Sequence, residues 1–335
     1  MFNLSPLRRW WSRTQDRLAA RWRKADIAIF HQFMPPPYGG GNQFLLTLRQ
    51  EFERLGWRTE ANAISRTARA CLYNSFNFDF DRLRQFRRPG CRMVHRVDGP
   101  IGVYRGRDDG TDRRIWEINQ ELADATIFQS RYSLRKHAEL GLEFRAPVVI
   151  HNATNPGIFH ARGRRPFARD RKIALISISW SDNPNKGAAF YQQLEEALDW
   201  DRFEYTFIGR SKIRFTRIRM LDPIPQPRLA EILRRHDILI SASRHESCPN
   251  AVIEALACGL PCLYLDSGGQ PELVGEAGLP FNTAVEALAQ LERLVLEYEE
   301  RQAKIKVPGI AEVAARYLEV LGVPKRETGR GFINT

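Results

Sequence analysis

From Asp26 onward, short apolar runs alternate with longer stretches in which apolar residues return every three or four positions. The short runs read as buried strands and the longer ones as amphipathic helices, so the alternation predicts a parallel α/β sheet. "DIAIF" (26–30), "WRTEANAI" (57–64), "CRMVHRV" (91–97), "ATIFQS" (125–130) and "PVVIHN" (147–152) are the expected strands of a first unit. Helices run between them through "FLLTLRQEFERLG", which Gly56 closes as a C-cap, "RIWEINQELAD" and "RYSLRKHAELG". Over Asn155–Arg171 the periodicity lapses into Pro, Gly and Arg, the composition of a linker. It restarts with strands "KIALISISW", "FEYTFIGR", "ILISAS" and "PCLYLD" and helices "KGAAFYQQLEEAL", "PRLAEILRRH" and "NAVIEALAC". Two helices at 284–302 and 310–321 close the pattern.

The expectation is an α/β fold of two Rossmann-like domains with parallel sheets facing a central cleft. The first covers 26–154 and the second 172–322, joined by the linker 155–171, with 323–335 as a loose tail.

Charge adds a feature that periodicity does not. The chain carries a formal net charge of +12, and part of it lies in residues 1–25. There Ser5 and Pro6 suit a helix start, and Leu7, Trp11, Leu18 and Trp22 share one stripe. Arg8, Arg9, Arg13, Arg17, Arg21, Arg23 and Lys24 face mostly elsewhere, opposed by Asp16. Trp11 and Trp22 with Arg9 and Arg13 fit a helix lying on anionic lipid. A helix packed on its own protein and a nucleic-acid arm are the alternatives, and no recognisable nucleic-acid-binding motif accompanies the charge. No stretch approaches the roughly 20 apolar residues of a membrane span, and no apolar h-region marks a signal peptide. The five cysteines, odd in number and without Cys-x-x-Cys spacing, read as reduced thiols of a cytoplasmic protein.

Candidate chemistry concentrates in "RHESCPNAVIEALACGLPC" (244–262). Glu246 and Glu254 stand eight positions apart, which on one helix would leave them roughly 80° apart. Pro249 argues against one helix, because proline is tolerated at a first turn and not inside. Glu246 is therefore expected in a loop after "ILISAS", with Glu254 about one turn into a helix that starts near Pro249 or Asn250. Both acids would overlook the carboxyl end of a strand beside a helix N-terminus, where open α/β sheets hold ligands and backbone N–H groups favour phosphate.

"SASRHESCPNAVIEALACGLPCLYLDSGGQPELV" resembles the carboxyl-terminal signature of retaining glycosyltransferases of GT-B fold, family 4 (glycosyl transferases group 1), whose paired acids form an E-x₇-E motif. The resemblance implies a GT-B architecture with the acceptor on the first domain and the nucleotide sugar on the second. It implies that Glu246 faces the donor sugar and Glu254 the ribose hydroxyls; an ionised carboxylate can accept two hydrogen bonds from a diol. Pro249, Asn250 and Ala251 open the helix on the donor side. "PPPYGGGNQFLLTLRQEFERLG" is similar to the family's glycine-rich first turn, where Gly40 and Gly41 would let the backbone approach a diphosphate. "ADATIFQSRYSLRKHAELG" and "VVIHNATNPGIF" resemble the last unit of the first domain and the crossover to the second.

In "SISWSDNPNKG", Lys186 matches the family lysine that holds the donor phosphates, while the family arginine is replaced by Ser179, Trp180 or Ser181. Arg210, after Gly209 at the end of "YTFIG", is the candidate substitute. The family often places a histidine near the reacting sugar. Aligning strand ends in "RMVHRVDGP" selects Asp98 and aligning residue type selects His95, so both stand as catalytic candidates beside Glu246.

The resemblance further implies retention at the anomeric carbon, with no covalent nucleophile and no metal cofactor. The expected partners are a nucleotide sugar, a glycan or lipid-linked acceptor, and an anionic membrane surface at the inner face through residues 1–25, without nucleic acid. Rival readings are a sugar-nucleotide epimerase of GT-B fold, an inactive nucleotide-sugar-binding module, a nucleic-acid-binding protein drawn by the charge, and a metal site at Asp79 and Asp81 or at Asp108, Asp109 and Asp112.

Overall fold

The computed structural model describes residues 24–35 and 39–324. The arm residues Arg9, Trp11, Arg13 and Trp22 lie outside the described residues.

The first sheet contains β1 (Ile27–Phe30), β2 (Thr59–Ala61), β3 (Ala70–Asn74), β4 (Arg92–Val97), β5 (Ala125–Phe128) and β6 (Pro147–Val149), all parallel, in the order β2-β1-β3-β4-β5-β6. The second contains β7 (Ile173–Ser179), β8 (Phe203–Gly209), β9 (Arg219–Leu221), β10 (Ile238–Ser241), β11 (Cys262–Leu265) and β12 (Gly278–Phe281), in the order β12-β11-β10-β7-β8-β9. Strand order reverses between β1 and β3 in the first and between β7 and β10 in the second, which places a ligand crevice at the carboxyl end of each.

The inner strands are buried on both faces, as parallel strands under helices must be, while the edge strands β6 and β9 are largely exposed. Ile27 and Ile29 join Leu72, Val94 and Ile127 in one core layer, while Ala28 and Phe30 join Cys71 and Tyr73 in the opposite one. The central strand β3, "ACLYN", was not among the expected strands. A five-residue buried run carries no period of its own, and its pairing with both β1 and β4 reveals it.

Helix α1 (Gly40–Arg54) follows β1, and α2 (Phe80–Phe86), α3 (Ile101–Arg105), α4 (Thr111–Leu122) and α5 (Arg131–Glu139) complete the first unit. The second carries α6 (Ala188–Ala197), α7 (Gln226–Leu233), α8 (Asn250–Ala257), α9 (Gln270–Val274), α10 (Ala284–Leu296) and α11 (Tyr298–Ala303), so the single helix expected over 284–302 breaks at Glu297. The closing helix α12 (Ile310–Val320) departs from its expected place in the second domain. Its Val313, Ala314, Tyr317 and Leu318 pack with Phe44, Leu45, Leu48 and Phe52 of α1 in the core of the first.

That return seals a buried guanidinium. Arg96 of β4 is fully inaccessible and donates to Asn74 (2.5 Å), Asn152 (2.8 Å) and the Tyr317 hydroxyl (3.2 Å), with Asp98 at 3.4 Å and the Phe44 ring 4.8 Å beneath it. Replacing Tyr317 by Phe removes one of those acceptors and is expected to lower stability by about 1 kcal/mol. Tyr317→Ala, which also leaves a cavity over Phe44, should lower it by roughly 3–5 kcal/mol in urea unfolding monitored by fluorescence. Equal losses for the two variants would refute this account of the helix.

Candidate active site

Loops leaving the carboxyl ends of both sheets enclose a cavity of about 420 Å³. Phe76, Asp98, Gln129 and Asn152 reach it from the first sheet, and Ser179, Gly209, Ser243 and Glu246 from the second.

Lys186 enters from the β7–α6 connection. A short 3₁₀ turn, Pro184–Lys186, is held by the Asn183 side chain accepting from the Asn185 amide at 2.9 Å. Glu246 enters from the β10–α8 loop, which the neighbouring loop supports: Ser267 Oγ accepts from the His245 amide at 3.1 Å, and Gly269 donates to the Glu246 carbonyl at 2.7 Å. Gly268 is required there, since its φ of +69° is left-handed and a Cβ would sit 2.2 Å from that carbonyl oxygen. The β7–α6 and β10–α8 loops are tied by Arg244 N–H donating to Asn185 O at 2.7 Å.

Within this frame Lys186 Nζ and a Glu246 carboxylate oxygen form a close ion pair, and Nζ lies 5.9 Å from the Tyr104 ring of the first domain. Burial by itself would lower the Lys186 pKa, but the Glu246 carboxylate, with Tyr104 adding less, raises it above the ordinary value. Glu254 sits one turn into α8, which begins at Asn250 as the proline argument required. Its carboxylate accepts from Gln226 Nε2 at 3.4 Å, and burial pushes its pKa up to about 8. Asp98 closes the floor from the first domain. Burial raises its pKa, Arg96 pulls against that, and Glu246 adds to the rise.

The two helix N-termini meet at the cavity. Asn250 donates to Gly40 O at 2.7 Å and accepts from Asn152 at 2.9 Å, joining α8 to α1 through the crossover. Gly40, Gly41, Pro249, Asn250, Ala251 and Gly209 all line the cavity. Gly209 has φ +131°, and a Cβ there would collide with Ser179 O at 1.7 Å. Free N–H groups at such termini, with Lys186 nearby, form an electropositive seat for an anion.

Two sequence candidates fall outside this site. His95 is fully buried on the other face of β4, stacked on Tyr73 at 4.3 Å, with Nε2 3.0 Å from Ser75 O and burial lowering its pKa to about 3. Alternation along the strand sends its ring away from the cleft, whereas Asp98 follows the strand end and reaches it. Arg210 is exposed and does not line the cavity; its guanidinium stacks 4.8 Å over Trp180, which does. The proposed metal pairs serve helix starts instead. Asp79 accepts from Arg82 N, Asp81 pairs with Arg84, Asp112 accepts from Ile101 N and Gly102 N, and Asp108 and Asp109 accept from the Gly110 and Thr111 amides. No cluster of three or more metal-ligating side chains occurs among the described residues.

Sequence reasoning missed Tyr104 and Arg105, which reach the cavity from the five-residue helix α3, and Gln129, Asn152 and Gln226. Gln129 and Asn152 carried a usable signal, being polar residues just beyond apolar strands. Helix α3 is too short to show one. All five cysteines are free and buried, and burial holds the Cys248 thiol at about 12, so it is no nucleophile at neutral pH.

Two Rossmann-like domains with carboxyl strand ends facing one cleft make this a GT-B fold. Residues 186–297, which include Lys186, Glu246 and Glu254, match the model of the family glycosyl transferases group 1. A D-inositol 3-phosphate glycosyltransferase of Corynebacterium glutamicum is 28% identical over 169 residues, 47% of this chain and 37% of that protein. The matches thus span just over a third of the curated relatives' length, 37% and 36%. Sucrose-phosphate synthase from Thermosynechococcus elongatus is similar in structure with a TM-score of 0.71 at 15% identity, over 89% of this chain and 98% of that one. Anabaena HepE in complex with UDP gives 0.60 at 14% identity, over 89% and 97%. At these identities the solved structures speak for the fold alone.

The Glu254 pKa of about 8 lies above the ordinary 4.5, so its protonated form favours the fold. That stabilisation is whole below pH 4.5 and is lost as pH rises through 8. Ligand-free Glu254→Gln is therefore expected to exceed the wild type by about 2–4 kcal/mol at about pH 9, the gap closing toward about pH 5. Urea titrations at both values check it; a gap independent of pH would mean that Glu254 is not the titrating group.

Proposed function

We propose that this protein is a glycosyltransferase that moves a sugar from a nucleoside diphosphate to a glycan or lipid-linked acceptor with retention of anomeric configuration and without a metal. The observation that carries it is the half-buried Lys186–Glu246 pair in a cavity that two helix N-termini also line, with Glu254 in the same cavity. The match of residues 186–297 to glycosyl transferases group 1 supports the reaction class, and the UDP complex of a similarly folded protein supports the donor class.

In this reading a diphosphate draws Lys186 from Glu246 and lies against the N–H groups that open α1 and α8. The cation and the helix ends then offset the charge that grows on the departing phosphate as the glycosidic bond breaks. Glu246, released from the lysine, accepts hydrogen bonds from sugar hydroxyls. Glu254, ionised on binding, accepts two from the ribose diol. In this reading no side chain forms a covalent intermediate, and the acceptor oxygen attacks from the face the phosphate leaves. Asp98 stands on the first-domain side of the reacting carbon, and Tyr104 and Arg105 line the same wall.

Thermal-shift titration with UDP, GDP, ADP and TDP and their sugars, with and without EDTA, tests this. One nucleotide should stabilise the wild type, and Lys186→Ala should weaken its binding roughly tenfold to a hundredfold. Glu254→Gln should weaken it as well despite its more stable ligand-free fold. NMR of the transferred sugar should report the donor's anomeric configuration. Absence of any nucleotide effect on folded protein would overturn the donor reading, stabilisation that vanishes with EDTA would overturn metal independence, and an inverted product would overturn retention.

A further inference from the structure

The strands of the first sheet begin in register: Ile27 stands opposite Thr59 and Ala70, and Ala70 opposite Arg92. The residues just before them form one row at the edge remote from the cleft. Backbone bonds tie that row together, with Asp26 N–H on Arg58 O (2.8 Å), Arg69 N–H on Asp26 O (2.8 Å) and Arg92 N–H on Arg69 O (2.9 Å). The row and the turns beside it carry six arginines, Arg58, Arg66, Arg69, Arg87, Arg88 and Arg92, of which only Arg88 is not exposed.

Little negative charge answers them. Asp26 is buried and taken up by Arg58, and Glu60 is buried and accepts from the Ser65 amide. Asp124 is an exposed carboxylate of this edge; exposed Glu53 is taken up by Arg49 and Thr59, and exposed Glu319 precedes Val320. Asp124 shares a hollow of about 730 Å³ with Arg87, Arg88 and Arg92. Arg66, Arg69 and Arg87 make no ion pair with another described residue.

Both described ends of the chain reach the same edge. Ala25, next to Lys24, donates from its amide to Ser65 Oγ and accepts from Thr67 Oγ1 at 2.7 Å. At the other end Arg92 donates to Val320 O at 2.7 Å, just before the described chain stops at Pro324. Residues 1–23 hold six arginines against one aspartate, and residues 325–335 hold three cations against one glutamate. Both described ends of the chain therefore stop at the arginine-bearing edge of the first domain, and each is continued in sequence by a basic stretch.

We propose that this edge is a docking surface for an anionic lipid bilayer. A broad row of arginines suits a charged plane, whose field acts within a Debye length and needs no groove. Nucleic-acid readers instead insert a helix or ribbon, or stack bases on exposed aromatic rings, and this edge presents neither. The strands separate this edge from the cleft by roughly 20 Å, so docking leaves the cavity open. The surface stands whatever the cleft binds.

Flotation of the full chain with vesicles of phosphatidylcholine alone, or with added phosphatidylglycerol, tests the proposal against a triple variant, Arg66→Glu with Arg69→Glu and Arg87→Glu. These three are chosen because Arg88 and Arg92 bond backbone carbonyls and support the fold. The wild type is expected to float with anionic vesicles only and to be released by salt. The variant should bind at least roughly tenfold more weakly, with unchanged thermal unfolding and unchanged response to nucleotides. The corresponding triple Gln variant should fall between them. Binding of the Glu variant equal to wild type, wild-type binding to neutral vesicles, no binding to either vesicle, or tighter binding to a short DNA or RNA duplex than to anionic vesicles would each overturn it.

Discussion

Arg96 at the carboxyl end of β4 is a guanidinium with no access to water, and a charge so placed is tolerable only when every donor direction is met. Meeting them draws in the end of β3 through Asn74, the crossover through Asn152, and the closing helix through Tyr317. Asn152 then passes the constraint on to Gln129 and to Asn250, which holds Gly40. One desolvated cation thereby sets the relation between the last helix and the first domain, and links both helix N-termini that border the cleft.

The two ends of the second sheet treat charge differently. At the amino end, buried Asp237 is engaged by Arg171 at 2.7 and 2.9 Å and by the Ala174 amide at 2.8 Å, a fully answered carboxylate. At the carboxyl end, Glu254 has a single distant amide, and across the cleft Asp98 of the first domain faces both Arg96 and Glu246; burial raises both pKa values. Polar groups left short of partners around a cavity mark a place where the fold gives up stability for a ligand. The Lys186–Glu246 ion pair holds both side chains against the cavity wall.

Much of this was legible before any coordinates. Alternation of apolar periods gave the two parallel sheets, and Pro249 gave the start of α8, hence the separate placement of Glu246 and Glu254. The resemblance to glycosyl transferases group 1 pointed to Lys186, Gly40, Gly41 and Asp98, and all four line the one cavity. His95 and Arg210 were misplaced for related reasons. Both lie near strand ends, and their face relative to the cleft depends on a single residue of alternation or on a stacking partner, Tyr73 and Trp180 respectively. Residue type alone does not encode that choice.

The sequence by itself determined most of the strands and the longer helices, because period and turn chemistry act over a few neighbouring residues; short elements such as β3, β9, β12 and α3 carry too little period to show. It also determined that acids and a lysine stand just beyond apolar strands. Only the tertiary structure decided that β3 is central, that α12 returns to the first domain, and that Lys186 pairs with Glu246. Those outcomes rest on partners far apart in the chain, as with Arg96 and Tyr317, 221 positions apart. An amphipathic stripe states only that it must be covered, whereas its cover is chosen by whichever distant surface also satisfies the polar groups buried beside it.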